Sequence, residues 1–269
     1  MEIKTVLITG ATSGIGKACA CKFAKEGWNL ILNARDTSKL EKLIYELEME
    51  CPKLVTRPLI CDVRDREQVK AALENLPADW KTIDLLINNA GLVIGVDKEF
   101  EGSLDEWDIM IDTNIKGLLT MTRLVVPGMI ERGRGHVINI GSIAGDAAYP
   151  GGSVYCATKA AVKALSDGLR IDLVEAGGEG CRGGRVDSPL RVANIKPGMV
   201  ETNFSVVRYR GDKQAADNFY KGIRPLTGED VAETVYFAAS APEHIQIAEV
   251  LLMPTNQATG TISYKKKSE

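Results

Sequence analysis

Thr5-Val6-Leu7-Ile8-Thr9-Gly10-Ala11-Thr12-Ser13-Gly14-Ile15-Gly16 is the stretch on which the fold turns. Residues 5–9 form a β-branched and apolar run that stops at Gly10. From Gly16 to Glu26 apolar residues return at helical spacing through Ala18, Ala20, Phe23 and Ala24. The reading is strand, glycine turn, helix. Three glycines spaced GxxxGxG permit a tight turn and remove side chains that would block a pyrophosphate from the backbone. The helix start adds free N–H groups and a partial positive charge. Such a glycine pattern is weak by itself; its place after the first strand makes Gly10, Ser13, Gly14, Ile15 and Gly16 a candidate dinucleotide site.

Outward from that turn the alternation continues. Apolar runs at residues 30–33, 55–61, 84–88, 137–140, 190–195 and 250–253 read as strands. Between them lie four helical patterns: one capped by Ser38 with Leu40, Leu43, Ile44 and Leu47 on one face, one over 66–76, one long helix over 104–130 capped by Ser103, and one over 154–174. Strands made of apolar runs imply burial on both faces, as in a parallel sheet covered by helices. The expectation is one α/β domain over residues 1–269, doubly wound and Rossmann-type, with a seven-stranded parallel sheet flanked by helices. Two stretches break the regularity. Residues 175–189 hold five glycines among mixed charges and read as an exposed connecting loop. Residues 199–224 are polar, with a helical piece over 214–220. They follow a strand's C-terminal end, where α/β proteins bind ligands, and so read as a lid.

Composition narrows the function classes. The 269 residues carry 36 acidic and 33 basic side chains, a net charge of -3, with 45% apolar and 26% charged residues. That excludes a disordered or fibrous chain and leaves no basic footprint for nucleic acid or an anionic membrane. Six cysteines (Cys19, Cys21, Cys51, Cys61, Cys156 and Cys181) form no CxxC pair, and His136 and His244 are the only histidines. Neither a metal site nor a disulfide framework is expected. A reducing compartment fits this usage. Residues 1–5 leave no room for a signal peptide before the first strand, and no apolar run approaches a membrane span, so a cytoplasmic protein is expected. Residues 261–269, with Lys265, Lys266 and Lys267, read as a flexible, solvated tail.

The end of the second strand is where such folds read the adenosine ribose: an acid bonds the 2'-hydroxyl, an arginine accommodates a 2'-phosphate. Here stands Asn33-Ala34-Arg35, with no acid before the arginine. A guanidinium pairs with phosphate and a carboxylate repels it, so NADP is expected over NAD. Asp36 and Lys39 read as solvated charges at the next helix start.

Taken together, Thr9-Gly10-Ala11-Thr12-Ser13-Gly14-Ile15-Gly16, Asn88-Asn89-Ala90-Gly91, Asn114 within Asp112-Thr113-Asn114, Ser142, Tyr155-Cys156-Ala157-Thr158-Lys159 and Pro197-Gly198 resemble the classical short-chain dehydrogenase/reductase family, in its order and spacing over nearly the whole chain. The residues support an acid/base reading beside that resemblance. Tyr155 and Lys159 are four apart on a predicted helix and project from one face. A phenol is a poor base at neutral pH, and a nearby ammonium favours its phenolate.

The resemblance implies further roles. Ser142 would hydrogen-bond the substrate oxygen, Lys159 would also bind the nicotinamide ribose, and Asn114 would maintain a water relay. Asp62 and Val63 would flank the adenine, Asn89, Ala90 and Gly91 would lie beside the adenosine ribose, and Pro197, Gly198, Val200 and Thr202 would form the nicotinamide-side loop. Asp62 also reads as an N-cap for the helix at Arg66. Residues 196–205 and 252–258 resemble the NADP-dependent 3-hydroxy acid dehydrogenases, which implies serine, allo-threonine or 3-hydroxypropionate-type substrates and a homotetramer. Arg208 and Arg210 in the lid are candidates to pair with a substrate carboxylate. Two alternatives stay open: a carbonyl or 3-oxoacyl reductase with the same catalytic set, and a dinucleotide sensor without turnover. The long glycine-rich stretch at 175–189 departs from the subgroup and lies outside its motifs.

Overall fold

Period-two burial builds the sheet. In Thr5–Ile8 (β1) all four residues are buried. Val6 and Ile8 pack into the cluster on one face and Leu7 into the cluster on the other, as alternate Cβ directions require. The same division holds in Asn29–Ala34 (β2), where Leu30 and Leu32 join Val6 and Ile31 joins Leu7. The structure is a computed structural model and describes residues 4–176 and 190–265. The expected 175–189 loop therefore lies, from residue 177 onward, outside the described residues, as do 266–269 of the tail.

The other strands are Thr56–Ile60 (β3), Leu85–Asn88 (β4), His136–Ile140 (β5), Arg191–Pro197 (β6) and Glu249–Leu252 (β7). All seven are parallel, in the order β3-β2-β1-β4-β5-β6-β7. The chain order reverses between β1 and β4, and a doubly wound sheet opens a crevice at that point, beyond the strands' carboxyl ends. The expected architecture is thus the observed one.

Helices Gly14–Lys25 (α1) and Thr37–Glu50 (α2) cover one face, with Gly228–Ser240 (α9) packed beside α1. Arg66–Glu74 (α3), Leu118–Arg132 (α5) and Ser153–Ala176 (α6) contribute Val69, Met121, Met129 and Leu173 to the other. Each fully buried Leu or Ile contributes about 1.5–3 kcal/mol. Phe204–Arg208 (α7) and Lys213–Tyr220 (α8) lie in the predicted lid. The expected helix over 214–220 matches α8, whereas five-residue α7 is too short to show a period.

Three expectations are corrected. The cap of α2 is Asp36, whose carboxylate accepts from the Lys39 amide at 3.1 Å; Ser38 instead donates to Asp36 at 2.8 Å. Asp65, not Asp62, caps α3 by accepting from the Glu67 and Gln68 amides. The long helix over 104–130 is three pieces: Leu104–Ile111 (α4), a π-helical turn at Asp112–Gly117, and α5. Within that turn the Thr113 hydroxyl donates to the Ile109 carbonyl at 2.8 Å, and Asn114 is drawn sideways onto Leu92. A π-turn adds a residue locally while the spacing within each flanking segment stays helical, so the sequence on either side still reads as helix.

Part of the tail also has defined neighbours. Ser263 bridges Gln257, and the Tyr264 amide donates to the Asn256 carbonyl at 2.8 Å.

Candidate active site

The glycine turn needs its glycines for identifiable reasons. Gly10 and Gly14 sit at φ +63° and +52°, the left-handed region that favours glycine. A Cβ on Gly14 would press on Thr202 at 3.3 Å, and one on Gly16 would overlap the Gly10 carbonyl. Asn89 braces the turn from just beyond β4: its Nδ2 donates to the Thr9 carbonyl at 2.8 Å, and the amides of Asn89 and Ala90 both donate to the Thr9 hydroxyl at 2.9 Å. At the start of α1, Ser13 occupies the cap position with its backbone carbonyl accepting from the Lys17 amide at 3.2 Å and its side chain making no capping hydrogen bond. The first-turn N–H groups therefore keep no side-chain partner from the cap, the arrangement that suits a phosphate.

That turn forms one wall of a cavity of about 890 Å³. Gly10, Ser13, Gly14, Ile15, Arg35, Asp62, Val63, Asn89, Ala90, Gly91, Ser142, Tyr155, Lys159, Pro197, Gly198, Val200 and Thr202 all line it. Two predicted residues do not. Gly16 serves the packing of the turn. Asn114 is buried behind Gly91, where a Cβ would meet the Asn114 oxygen at 3.3 Å and Lys159 Nζ at 3.5 Å. Its amide donates to the Leu92 carbonyl at 2.8 Å and the Thr158 hydroxyl at 3.1 Å, and its oxygen accepts from the Leu92 amide.

At one end of the cavity lies β2. The Arg35 side chain is 66% exposed and held only loosely, 3.9 Å from Asp62, while Asp62 is engaged by Arg64 at 2.6 Å. The Arg64 guanidinium bonded to it holds the Asp62 carboxyl below the usual range. With Asp36 committed to its cap and Asp62 to Arg64, the exposed Arg35 cation and no free acid face the place where a ribose 2'-substituent would lie. This charge pattern, with the open turn, fits a phosphorylated dinucleotide.

The opposite end is built by β5, β6 and α6. A buried polar chain ties α6 to the sheet: Asn88 donates to Asn139 at 2.9 Å, and Asn139 to Ser166 at 2.9 Å. Ser142 follows β5, its hydroxyl accepting from the Ala144 amide at 3.1 Å. Lys196 pins the same region, buried between Asp146 at 2.8 Å and Glu249 at 2.6 Å. Tyr155 is buried against Phe204, ring centroids 5.7 Å apart. Burial pushes its phenol well above the ordinary tyrosine value, and the neighbouring Ser142 hydroxyl and Arg208 charge pull it back. Lys159 Nζ lies 5.9 Å from the Tyr155 ring centre and donates to the Ile140 carbonyl at 2.8 Å. Burial lowers its ammonium to about 8, which still leaves it mostly charged at neutral pH.

Sequence reasoning missed several lining residues. Gln257 fixes the loop after β6: its oxygen accepts from the Met199 amide at 2.8 Å and fills the space a Gly198 side chain would need. Tyr149, Phe204, Phe219 and Tyr220 make the Tyr155 end aromatic; the last three come from the lid sequence, Tyr149 from the loop between β5 and α6. The two lid arginines part company. Arg210 is bound to Asp97 and to both oxygens of Glu106, at 2.7 Å each; Arg208 faces the cavity. Among the described residues no cluster of His, Cys, Asp and Glu is placed to hold a metal ion, and no helix is long and apolar enough to cross a membrane.

Known proteins resemble this chain over nearly its whole length. The chain is 43% identical, over 100% of its length and 99% of the relative's, to an NADP-dependent 3-hydroxy acid dehydrogenase of Schizosaccharomyces pombe. It is 44% identical to a serine 3-dehydrogenase of Rhizobium radiobacter, over 94% of this chain and 95% of that one. The solved closed form of a serine dehydrogenase complexed with NADP+ is 41% identical and superposes with a TM-score of 0.85, covering 98% of this chain and 100% of that one. A family model described as short chain dehydrogenase matches residues 4–212, and the chain belongs to that family.

Proposed function

We propose that the protein is an NADP-dependent dehydrogenase that interconverts small 3-hydroxy acids and their oxo forms. The observation that carries this reading is the convergence of Ser142, Tyr155 and Lys159 at one end of a cavity whose other end holds the open glycine turn and Arg35. The likeness to 3-hydroxy acid and serine dehydrogenases supports the substrate class. In this reading Gly10, Ser13, Gly14 and Ile15 hold the pyrophosphate, Gly16 keeps their turn closed, and Arg35 holds the 2'-phosphate. Asp62 and Val63 flank the adenine, Asn89, Ala90 and Gly91 the adjoining ribose, and Pro197, Gly198, Val200 and Thr202 the nicotinamide. NADP(H), when bound, supplies or accepts the hydride.

The chain's own residues manage the proton. Ser142 donates a hydrogen bond to the substrate oxygen and holds it beside Tyr155. In oxidation the Tyr155 phenolate takes the hydroxyl proton; in reduction the phenol returns it to the forming alkoxide. The raised phenol pKa suits donation, and the Lys159 ammonium stabilises the phenolate in the other direction. Asn114, behind Lys159, is the candidate for handing the proton on through water.

We also propose a homotetramer, supported by exposed apolar side chains on α5 and α6. The test of the activity is the initial rate with serine, allo-threonine, 3-hydroxypropionate and simple alcohols, each with NADP and NAD. The acids with NADP should give the highest kcat/KM; a preference for NAD or for simple alcohols contradicts the reading.

A further inference from the structure

Five cations line the cavity: Arg35, Lys39, Arg64, Lys159 and Arg208. Lys39 pairs with Asp36 at 3.2 Å, Arg64 with Asp62, and Lys159 with the Ile140 carbonyl. Arg35 lies at the β2 end. Arg208 is alone at the catalytic end in having no acceptor: among the described residues its guanidinium has no hydrogen bond or ion pair, and its Nε is buried without a partner.

Its neighbours are instead three rings, Tyr149 and Phe219 at 5.2 Å and Tyr209 at 5.9 Å from the guanidinium carbon. Aromatic rings stabilise a cation but take none of its five donor N–H groups in ordinary hydrogen bonds. The side chain is thus held in place while its donor fork stays unspent. A planar fork of that kind matches a carboxylate through two parallel hydrogen bonds.

Position completes the argument. Phe204 and Arg208 are four apart in α7, so they project from one side of the helix. Phe204 touches the Tyr155 ring, which puts Arg208 about one helical turn, roughly 5.4 Å, along from the proton-transfer site. The Arg208 charge also acts on Tyr149, Tyr155 and Tyr220, which agrees with that placement. Arg210, the other lid arginine, is spent on Asp97 and Glu106.

We infer that Arg208 is the specificity-determining anchor for the substrate's anionic group, pairing with a carboxylate while Ser142 and Tyr155 hold the reacting oxygen. This rests on the 3-hydroxy acid reading above and adds to it the residue that tells an acid from its neutral analogues. The cation of the lid then makes the anion, not the carbon chain, the recognised feature. Uncharged alcohols of the same length enter but leave the fork unpaired.

The experiment compares kcat/KM for 3-hydroxypropionate and for its methyl ester in wild type, Arg208→Met and Arg208→Lys, with NADPH binding by fluorescence as the check on folding. Arg208→Met should lower the acid-to-ester ratio about 30-fold or more, chiefly through KM, the usual loss when one partner of a charged hydrogen-bonded pair is removed. Arg208→Lys, which restores a point charge without the fork, should recover part of it. An acid-to-ester ratio unchanged in Arg208→Met, with NADPH still bound, overturns the anchor; so does an equal loss for acid and ester. A wild type that turns over neutral carbonyls and ignores every acid overturns the substrate reading instead. The anchor is then judged with malonate: competitive inhibition that Arg208→Met abolishes retains it, and absence of inhibition in the wild type disposes of it.

Discussion

Tyr155 and His136 show burial acting on two titratable groups with opposite purposes. Around Tyr155 the desolvation is opposed by a hydroxyl and a cation in a cavity. Around His136, at the start of β5, nothing opposes it: both ring nitrogens lack a partner among the described residues, and burial, followed by the Arg191 and Lys4 charges, lowers the imidazole to about 3 from the free value of 6.5. An unfolded chain therefore takes a proton below pH 6.5 that the native chain refuses until about pH 3. Stability from this group is complete above pH 6.5 and falls as the pH drops through that window. At about 1.36 kcal/mol per pH unit, lowering the pH from 7 to 5 costs about 2 kcal/mol. In urea unfolding, His136→Leu should lose about 2 kcal/mol less than wild type over the same interval. Equal losses in the two proteins would show that the histidine does not titrate on unfolding.

At the scale of elements, legibility follows the kind of signal. Strands such as β1 and β4 were readable because burial on both faces leaves uninterrupted apolar runs, and α8 because eight residues hold two turns of pattern. Gly10, Gly14, Ser142, Tyr155 and Lys159, singled out by residue type and spacing, all line the one cavity. The π-turn at Asn114 was not readable, since the spacing within each flanking segment stays helical, and Asp36 displaced Ser38 as a cap because its carboxylate reaches the Lys39 amide. The division between Arg208 and Arg210 was invisible for another reason: their partners Asp97, Glu106 and Tyr149 are distant in sequence.

Helix surfaces carry a prediction of their own. Leu119, Leu124 and Ile130 on α5, and Ile171 and Val174 on α6, are exposed, an apolar display that subunit contacts would cover. Light scattering in solution should give about four times the 29.1 kDa chain, and a charged residue at Leu124 or Ile171 should lower that mass. A wild-type mass of one chain would contradict the tetramer.

Across the whole molecule, the topological switch between β1 and β4 places the glycine turn and the Tyr155–Lys159 stretch of α6 on one cavity. In the proposed function the glycine turn serves the phosphates, Arg35 the choice of dinucleotide, and the lid the substrate, while Tyr155 exchanges the proton with the substrate. The measurement that tests this division most directly is turnover by Tyr155→Phe, followed as NADPH formed from 3-hydroxypropionate, beside the NADPH affinity of the same variant. Removing a general acid/base typically costs about 10²–10⁴-fold, so turnover should fall by at least about 100-fold while NADPH binds as in wild type. A Tyr155→Phe protein that keeps wild-type turnover would contradict the account.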